Sequence, residues 1–251
     1  MTPERETVAR LAELITRSRS TVVLTGAGIS VPSGIPDFRS ATTGLWQRVD
    51  PLKVATIDVF HNDTEAFWRF YRPRFHDLGA KLPNRAHRIV AEFEQRGLIE
   101  GVVTQNIDLL HAKAGSKRIW EVHGSIASSG CIDCGRAYRL AEVDRCFDAV
   151  GVARCADCDG KIKPNVVLFG EMLPEQVIDE ASAIASAADL IICIGSSLEV
   201  YPVAALPELT LAAGGQIAIV TQGPTPYDGD AAVKLDGDAI ADLEAVLAAL
   251  G

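Results

Sequence analysis

Four cysteines, a run of amide and carboxylate side chains, one histidine and a glycine turn are the residues whose types and spacing could do chemistry. Cys131-x-x-Cys134 and Cys155-x-x-Cys158 are two pairs separated by twenty residues. Two such knuckles supply four thiolates, which satisfies a closed tetrahedral zinc site. Gly130, Gly135 and Gly160 suit the tight turns such knuckles need. Four protein ligands leave no open coordination position, so this zinc is structural and not the catalyst. Cys146 and Cys193 have no partner at ligand spacing and read as core or surface residues, Cys193 inside a buried run.

Gly26-Ala27-Gly28 follows the β-branched run Thr21–Thr25, where a dinucleotide fold places its phosphate-binding turn. The hydride-transfer fingerprint asks for a third glycine at position 31, and this chain has Val31. That substitution argues against a dehydrogenase. A second group is Gln105-Asn106-Ile107-Asp108, directly after Val102-Val103-Thr104. A third is Glu121-Val122-His123-Gly124, again after a short apolar segment. Ligands of open α/β sheets bind at the carboxyl ends of strands, so both groups should face one crevice. Amide, carboxylate and imidazole there can orient a ribose and take a hydroxyl proton. His87 and His111 fall on predicted helices and read as packing or capping residues, while His61 and His76 read as exposed.

The elements that must position these groups follow from hydrophobic rhythm. Apolar residues recur at helical spacing over Thr7–Ile15, Asn84–Arg96, Pro174–Ala187, Val203–Ala213 and Asp238–Leu250. Short buried-strand runs lie at Thr21–Thr25, Leu98–Thr104, Asn165–Phe169, Asp189–Ile194 and Gln216–Thr221. Strands alternating with helices of about a dozen residues predict an α/β fold with a doubly wound, Rossmann-like parallel sheet. Two stretches interrupt the rhythm. The sheet domain is therefore read as 1–36, 82–126 and 164–251, with a helical insertion at 37–81 and a zinc-ribbon module at 127–163.

At 251 residues, 48% hydrophobic and 23% charged, the chain has the balance of a globular protein. Its formal net charge of -9 repels phosphate backbones and argues against a nucleic-acid partner. It also weakly favours basic partners such as a lysine-bearing protein tail. No apolar stretch has the length of a bilayer span or the form of a secretion signal, so no membrane association is expected. A cytoplasmic location is the expectation, and a reducing compartment favours metal ligation over disulfides.

GAGIS at Gly26–Ser30, GIPDFRS at Gly34–Ser40, TQNID at Thr104–Asp108 and His123-Gly124 occur in the order found in the sirtuins, which the chain resembles. The two CxxC pairs, Phe169-Gly170-Glu171 and GSSLEVYP at Gly195–Pro202 extend the likeness over nearly the whole chain, and the form GIPDFR is similar to the bacterial deacetylases. The resemblance implies an enzyme that uses NAD to remove acetyl or other acyl groups from protein lysines. Its products would be nicotinamide, free lysine and O-acyl-ADP-ribose. It implies NAD contacts from Gly26, Ala27, Gly28, Val31, Phe38 and Arg39, with Ile35, Ile107 and Asp108 lining the nicotinamide pocket. Gln105, Gly195, Ser196, Ser197, Thr221, Gln222 and Asp238 complete the implied cofactor set. Asn106 would position the ribose or a water, Asp108 would join it as a catalytic residue, and His123 would be the general base. Val167, Gly170, Glu171 and Val200 would flank an acyl-lysine peptide paired as an added strand.

The chain departs from the family pattern at three places. Thr221-Gln222 stands where Asn commonly contacts adenosine, though both side chains can hydrogen-bond. Glu199 replaces an apolar residue beside the substrate groove and would favour basic peptides. Tyr71 and Arg74 match a Tyr-x-x-Arg pair with which some sirtuins grip succinyl or malonyl carboxylates. Pro73 between them is expected to distort the helix, and Val31 replaces a small residue of those enzymes, so acetyl preference is the expectation. A mono-ADP-ribosyltransferase and a non-catalytic NAD-binding module are the alternatives. The intact Asn106, Asp108 and His123 argue against the second.

Overall fold

Runs of aliphatic and β-branched residues form the strands, and helices with one apolar stripe cover them on both sides. The computed structural model describes residues 3–37 and 49–251, with side chains from Arg5 onward. Helix α1 (Pro3–Arg17) leads into β1 (Thr21–Thr25) and a 3-10 turn at Ala27–Ser33. Helices α2 (Ile57–Asn62), α3 (Thr64–Ala80) and α4 (Arg85–Gln95) precede β2 (Gly101–Thr104), α5 (Leu110–Ala114) and β3 (Ile119–Glu121). The chain then forms β4 (Gly124–Cys131), β5 (Ala137–Arg139), α6 (Leu140–Val143) and β6 (Ile162–Val166). It closes with α7 (Glu175–Ala187), β7 (Leu190–Ile194), α8 (Leu206–Ala212), β8 (Gln216–Val220), β9 (Ala231–Leu235) and α9 (Ala239–Leu250).

Six strands make the main sheet in the order β3-β2-β1-β7-β8-β9, and every neighbouring pair is parallel. This is a Rossmann-like, doubly wound sheet, with its switch point between β1 and β7. Side chains alternate across the sheet, and both faces are covered. Val23, Ile192, Ile194, Ala218 and Val220 pack under α1, α4 and α9 through Leu11, Phe93 and Leu243. Val22, Leu24, Ile191, Cys193 and Ile219 pack under α7 and α8 through Ala181, Ala185 and Leu206. Burial on both faces explains why these strands read as continuous apolar runs.

Strands β5-β4-β6 form a separate antiparallel sheet. Its core is shared with the helical insertion: Phe60, Phe67, Trp68 and Phe75 pack with Ile126, Tyr138, Ile162 and Leu168. The two interruptions in the sequence rhythm therefore bury their apolar surface against each other. The run read at Asn165–Phe169 as a main-sheet strand is corrected: the strand is Ile162–Val166 and pairs with β4 of the small sheet. Pro73 does not end its helix, and α3 runs through it from Thr64 to Ala80. Pro73 and Arg69, four residues before it, are both exposed. Strand β9 has no long apolar run, because an edge strand needs only Val233 and Leu235 on its buried side. Among the described residues, no helix is long and apolar enough to cross a membrane.

At the switch point two turns meet backbone to backbone. Gly28 donates its N–H to the Gly195 carbonyl at 2.8 Å, and Gly26 donates to the Ile194 carbonyl at 3.1 Å. Gly195 is left-handed, and a Cβ there would lie 2.2 Å from the Ile29 nitrogen. The left-handed penalty and overpacking together predict that Gly195→Ala costs about 2–4 kcal/mol. Urea unfolding of zinc-loaded protein measures this, and an unchanged midpoint would show that the two turns can separate.

Candidate active site

Three turns at the carboxyl ends of β1, β2 and β7 carry most of the residues singled out in the sequence. Gln105, the first residue past β2, donates its backbone N–H to the Thr25 carbonyl at 3.0 Å, tying the second turn to the first. Its side-chain amide donates to Ser196 Oγ at 2.9 Å, tying it to the third. Asn106 is buried, and its Nδ2 donates to the Gly26 carbonyl at 3.0 Å and to Ser30 Oγ at 3.3 Å. Asn106 Oδ1 takes no hydrogen bond from the described residues. Asp108 is buried beside it, accepting from the Ser30 hydroxyl at 2.6 Å. Its other oxygen accepts the N–H of Leu110, the first residue of α5, at 2.9 Å. Leu109 between them is left-handed, as is Leu198 after Ser196-Ser197. A branched-chain residue in that region costs free energy, and such positions gather at working sites.

His123 lies at the junction of the two sheets, half-buried, after β3 and before β4. Its Nδ1 is 3.0 Å from the Gln105 carbonyl. A carbonyl only accepts, so Nδ1 carries the proton and Nε2 is left as a lone-pair acceptor. Burial pushes the His123 pKa below its usual 6.5, and the bond to the Gln105 carbonyl opposes that shift without reversing it. The ring is therefore neutral and able to take a proton at neutral pH. Burial also raises the Glu121 pKa, with a Ser125 hydrogen bond opposing it and the Asp108 charge adding to it.

Sequence reasoning missed a buried polar layer beneath this crevice. Thr25, Ser30, Thr104, His87 and His111 are all buried there. His87 Nε2 lies 3.3 Å from Ser30 Oγ, and His111 Nε2 lies 2.9 Å from Thr25 Oγ1. Burial is the first cause that lowers the two histidines, His87 to about 4 and His111 to about 3, so both rings are neutral. The packing role read for them is thus joined to a hydrogen-bonding one. The one signal for this layer was a threonine ending each of two strands, and Thr25 and Thr104 are register partners.

The remaining candidates divide by place. Ala27 and Ile35 are half-buried, and Val31 and Ser197 are exposed along the first and third turns. Thr221 is half-buried and Gln222 exposed past β8, where their side chains can reach a ligand. Asp238 instead caps α9, accepting from the Ile240 and Ala241 N–H groups at 3.0 Å. Phe38 and Arg39 lie outside the described residues. Val167 donates its N–H to the His123 carbonyl at 2.8 Å. Gly170 is left-handed, and Glu171 pairs with Lys163 at 2.9 Å and accepts the Leu168 N–H at 2.9 Å. Val200 is half-buried past the third turn. Tyr71 is stacked on Phe75 at 5.1 Å, and Arg74 lies 3.5 Å over the Phe70 ring while donating to the Phe70 carbonyl.

The four cysteine Sγ atoms lie within 4.8 Å of one another. The Cys131–Cys158 and Cys134–Cys155 separations are 3.4 and 3.6 Å, and a tetrahedron of zinc–sulfur bonds about 2.3 Å long puts sulfurs about 3.8 Å apart. The residues fit one structural zinc. Each knuckle closes by the same bond, Gly135 N–H to the Cys131 carbonyl and Asp159 N–H to the Cys155 carbonyl. Gly135 and Asp159 are both left-handed. Gly160, read as the second turn glycine, serves differently: a Cβ there would lie 2.9 Å from Cys131 Sγ.

The fold and the crevice define a Rossmann-like nucleotide-binding protein with a zinc-ribbon domain. The Sir2 family model matches residues 26–202, and the chain belongs to the Sir2 family. A Thermotoga maritima protein named NAD-dependent protein deacetylase is 43% identical over 91% of this chain and 92% of its own length. A solved Sir2 histidine-to-alanine variant, with deacetylated p53 peptide and 3'-O-acetyl ADP ribose, is 42% identical. It superposes with a TM-score of 0.90 over 95% of this chain and 96% of that one. Sir2Tm bound to a propionylated peptide is 41% identical, with a TM-score of 0.87 over 96% of this chain and 98% of that one.

β4 runs from the site directly into the first zinc ligand, so metal and site share one strand. Stripping zinc with a chelator should free four thiols per chain and collapse the small domain, because ligand binding supplies its folding free energy. Thiol titration alongside near-ultraviolet circular dichroism measures both. Zinc loss with the dichroism intact would show that the aromatic core suffices.

Proposed function

We propose that this chain is an NAD-dependent protein-lysine deacylase acting in the cytoplasm on acetyl-lysine peptides. The observation that carries the reading is the His123 ring, held as its Nδ1–H tautomer with Nε2 unprotonated beside the buried Asn106 and Asp108. NAD would supply, when bound, the glycosidic bond whose cleavage releases nicotinamide and lets the acyl group pass from the lysine nitrogen to an ADP-ribose oxygen, freeing the lysine amine. The chain's residues bind, orient and move a proton. His123 Nε2 accepts a ribose hydroxyl proton, while the Gln105 carbonyl stabilises the Nδ1–H side of the resulting imidazolium. Asn106 presents Oδ1 to the ribose or a water, its Nδ2 being held by Gly26 and Ser30. Asp108, anchored by Ser30 and the Leu110 N–H, lines the nicotinamide pocket with Ile35 and Ile107.

Ala27, Ser197, Thr221 and Gln222 would hold NAD along the crevice, and the family resemblance adds Phe38 and Arg39 to the cofactor contacts. The substrate peptide adds as a strand between Val167–Glu171 and Val200. Similarity to a named deacetylase and to solved Sir2 complexes with acyl products or peptides supports this reading.

His123→Ala should lower deacetylation kcat/KM by about a hundredfold to ten-thousandfold, the usual worth of a general base, while NAD still binds. In the wild type the acid limb should fall below pH 6.5, because burial depresses the base's pKa and activity is lost only when it protonates. An acid limb above that value, or a variant with near-normal deacetylation, would move the base elsewhere. Nicotinamide release that does not depend on acyl peptide would instead favour ADP-ribosyl transfer.

Tyr71 and Arg74 are engaged within α3, so acetyl peptides should turn over faster than succinyl peptides. A reversed ranking, abolished by Arg74→Met, would assign the pair to acyl-carboxylate binding.

A further inference from the structure

One peptide unit connects the two halves of the site. The Gln105 carbonyl accepts from His123 Nδ1 at 3.0 Å, and the Asn106 N–H of the same planar peptide donates to Thr104 Oγ1 at 3.1 Å. Rotation of that plane would move the acceptor of the His123 proton and the backbone of Asn106 together. What fixes the plane lies underneath. Thr104 Oγ1 also accepts the Thr25 hydroxyl at 2.8 Å. With its own proton spent on Thr104, Thr25 Oγ1 can only accept from His111 Nε2, 2.9 Å away. The chain therefore has one direction, from His111 Nε2–H to Thr25, to Thr104, and so to the peptide that orients His123.

Burial makes this arrangement specific. Thr25 is 0% exposed, Thr104 2% and His111 3%, so no bulk solvent can substitute for a missing member. His111 Nδ1 is buried with no hydrogen-bond partner among the described residues, which leaves Nε2 as the ring's working nitrogen. His111 sits on α5, whose first residue, Leu110, donates its N–H to Asp108. The same short helix thus carries the brace and terminates the Asp108 loop.

We infer that His111, Thr25 and Thr104 are positioning residues, a buried brace that holds the Gln105–Asn106 peptide and thereby selects the tautomer and orientation of His123. All three are buried beneath the crevice. The inference rests on the reading of His123 as the base. Loss of the brace should leave NAD and peptide binding nearly intact and lower the rate of the step that uses the base.

Thr104→Val keeps the shape and removes the hydroxyl, whereas Thr104→Ser keeps the hydroxyl. The valine variant should lower kcat for an acetyl peptide about tenfold to a hundredfold, in the range that small misplacements of reacting groups produce. NAD affinity should change less than about threefold, and the serine variant should recover most of the rate. Nitrogen-15 NMR of the valine variant's His123 should show loss of the single Nδ1–H tautomer. A folded, zinc-loaded valine variant with unchanged kcat, or one that loses rate while keeping that tautomer, would overturn the brace. The unmodified protein gives a test independent of any variant's folding: at neutral pH His111 must be the Nε2–H tautomer, and finding Nδ1–H would end the proposal. Absence of acyl-dependent nicotinamide release from the wild type would defeat the deacylase reading instead, and the tautomer measurements would still decide the brace.

Discussion

Gly28 gives its N–H to the Gly195 carbonyl at 2.8 Å, across a contact with no room for a Cβ on either side. The two turns follow β1 and β7, the strands on either side of the switch point. Their contact closes the sheet's carboxyl edge where a doubly wound fold would otherwise split open, and a ligand crevice begins at its outer side. The turn after β2 is then registered on both, through Asn106 to Gly26 and Gln105 to Ser196. Glycine in the first turn is usually explained by approach to phosphate. Here Gly28 spends its N–H on the neighbouring turn, so its want of a side chain serves the assembly of the site first.

Burying hydroxyls, amides and imidazoles under that edge is costly unless nearly every group is paired. An unsatisfied buried donor costs roughly 1–3 kcal/mol. The layer avoids most of that cost by chaining its members. Thr104 accepts from both Thr25 and the Asn106 backbone, and Ser30 donates to Asp108 while lying near Asn106 and His87. Keeping the histidines neutral matters as much as pairing them, since a charged ring at that depth would face a large desolvation penalty. Burial depresses both below the physiological range. The two buried histidines of the layer are therefore neutral, while His123, under the proposed mechanism, is the less deeply buried ring that would take up charge.

Much of this was legible in the sequence because some residues are constrained by local rules. The strands that lie at the sheet centre had to be long apolar runs, and they read as such. CxxC pairs have few other uses in a reducing compartment, and Gln105–Asp108 and His123 stood at strand ends where polar side chains have little structural excuse. What stayed hidden depends on three-dimensional register. Strand β6 could not be assigned to its sheet, since an apolar run does not say which partner it will find. Thr25 and Thr104 look like ordinary strand residues until the parallel pairing of β1 with β2 sets them side by side. His111 looked like a core histidine and is one. Only its contact with Thr25 gives it a further part. Asp238 was attached to the cofactor by resemblance, and its local chemistry is that of a helix cap.

The small domain bears on the chemistry through the backbone at His123. Strand β4 leaves His123 at Gly124 and reaches the first zinc ligand at Cys131, while β6 returns from the second knuckle to Val167, which donates to the His123 carbonyl. Gly124 is left-handed, and a Cβ there would lie 2.0 Å from the Asn165 carbonyl oxygen. The two antiparallel strands thus approach closely beside the histidine. Its ring is held from the sheet side by Gln105 and its backbone from the zinc side by Val167. Neither hold alone fixes both the position of the ring and the direction of Nε2. A zinc held by the four cysteines would leave no open position for Lewis-acid chemistry, but it would fix the knuckle ends of the two strands that meet at the histidine.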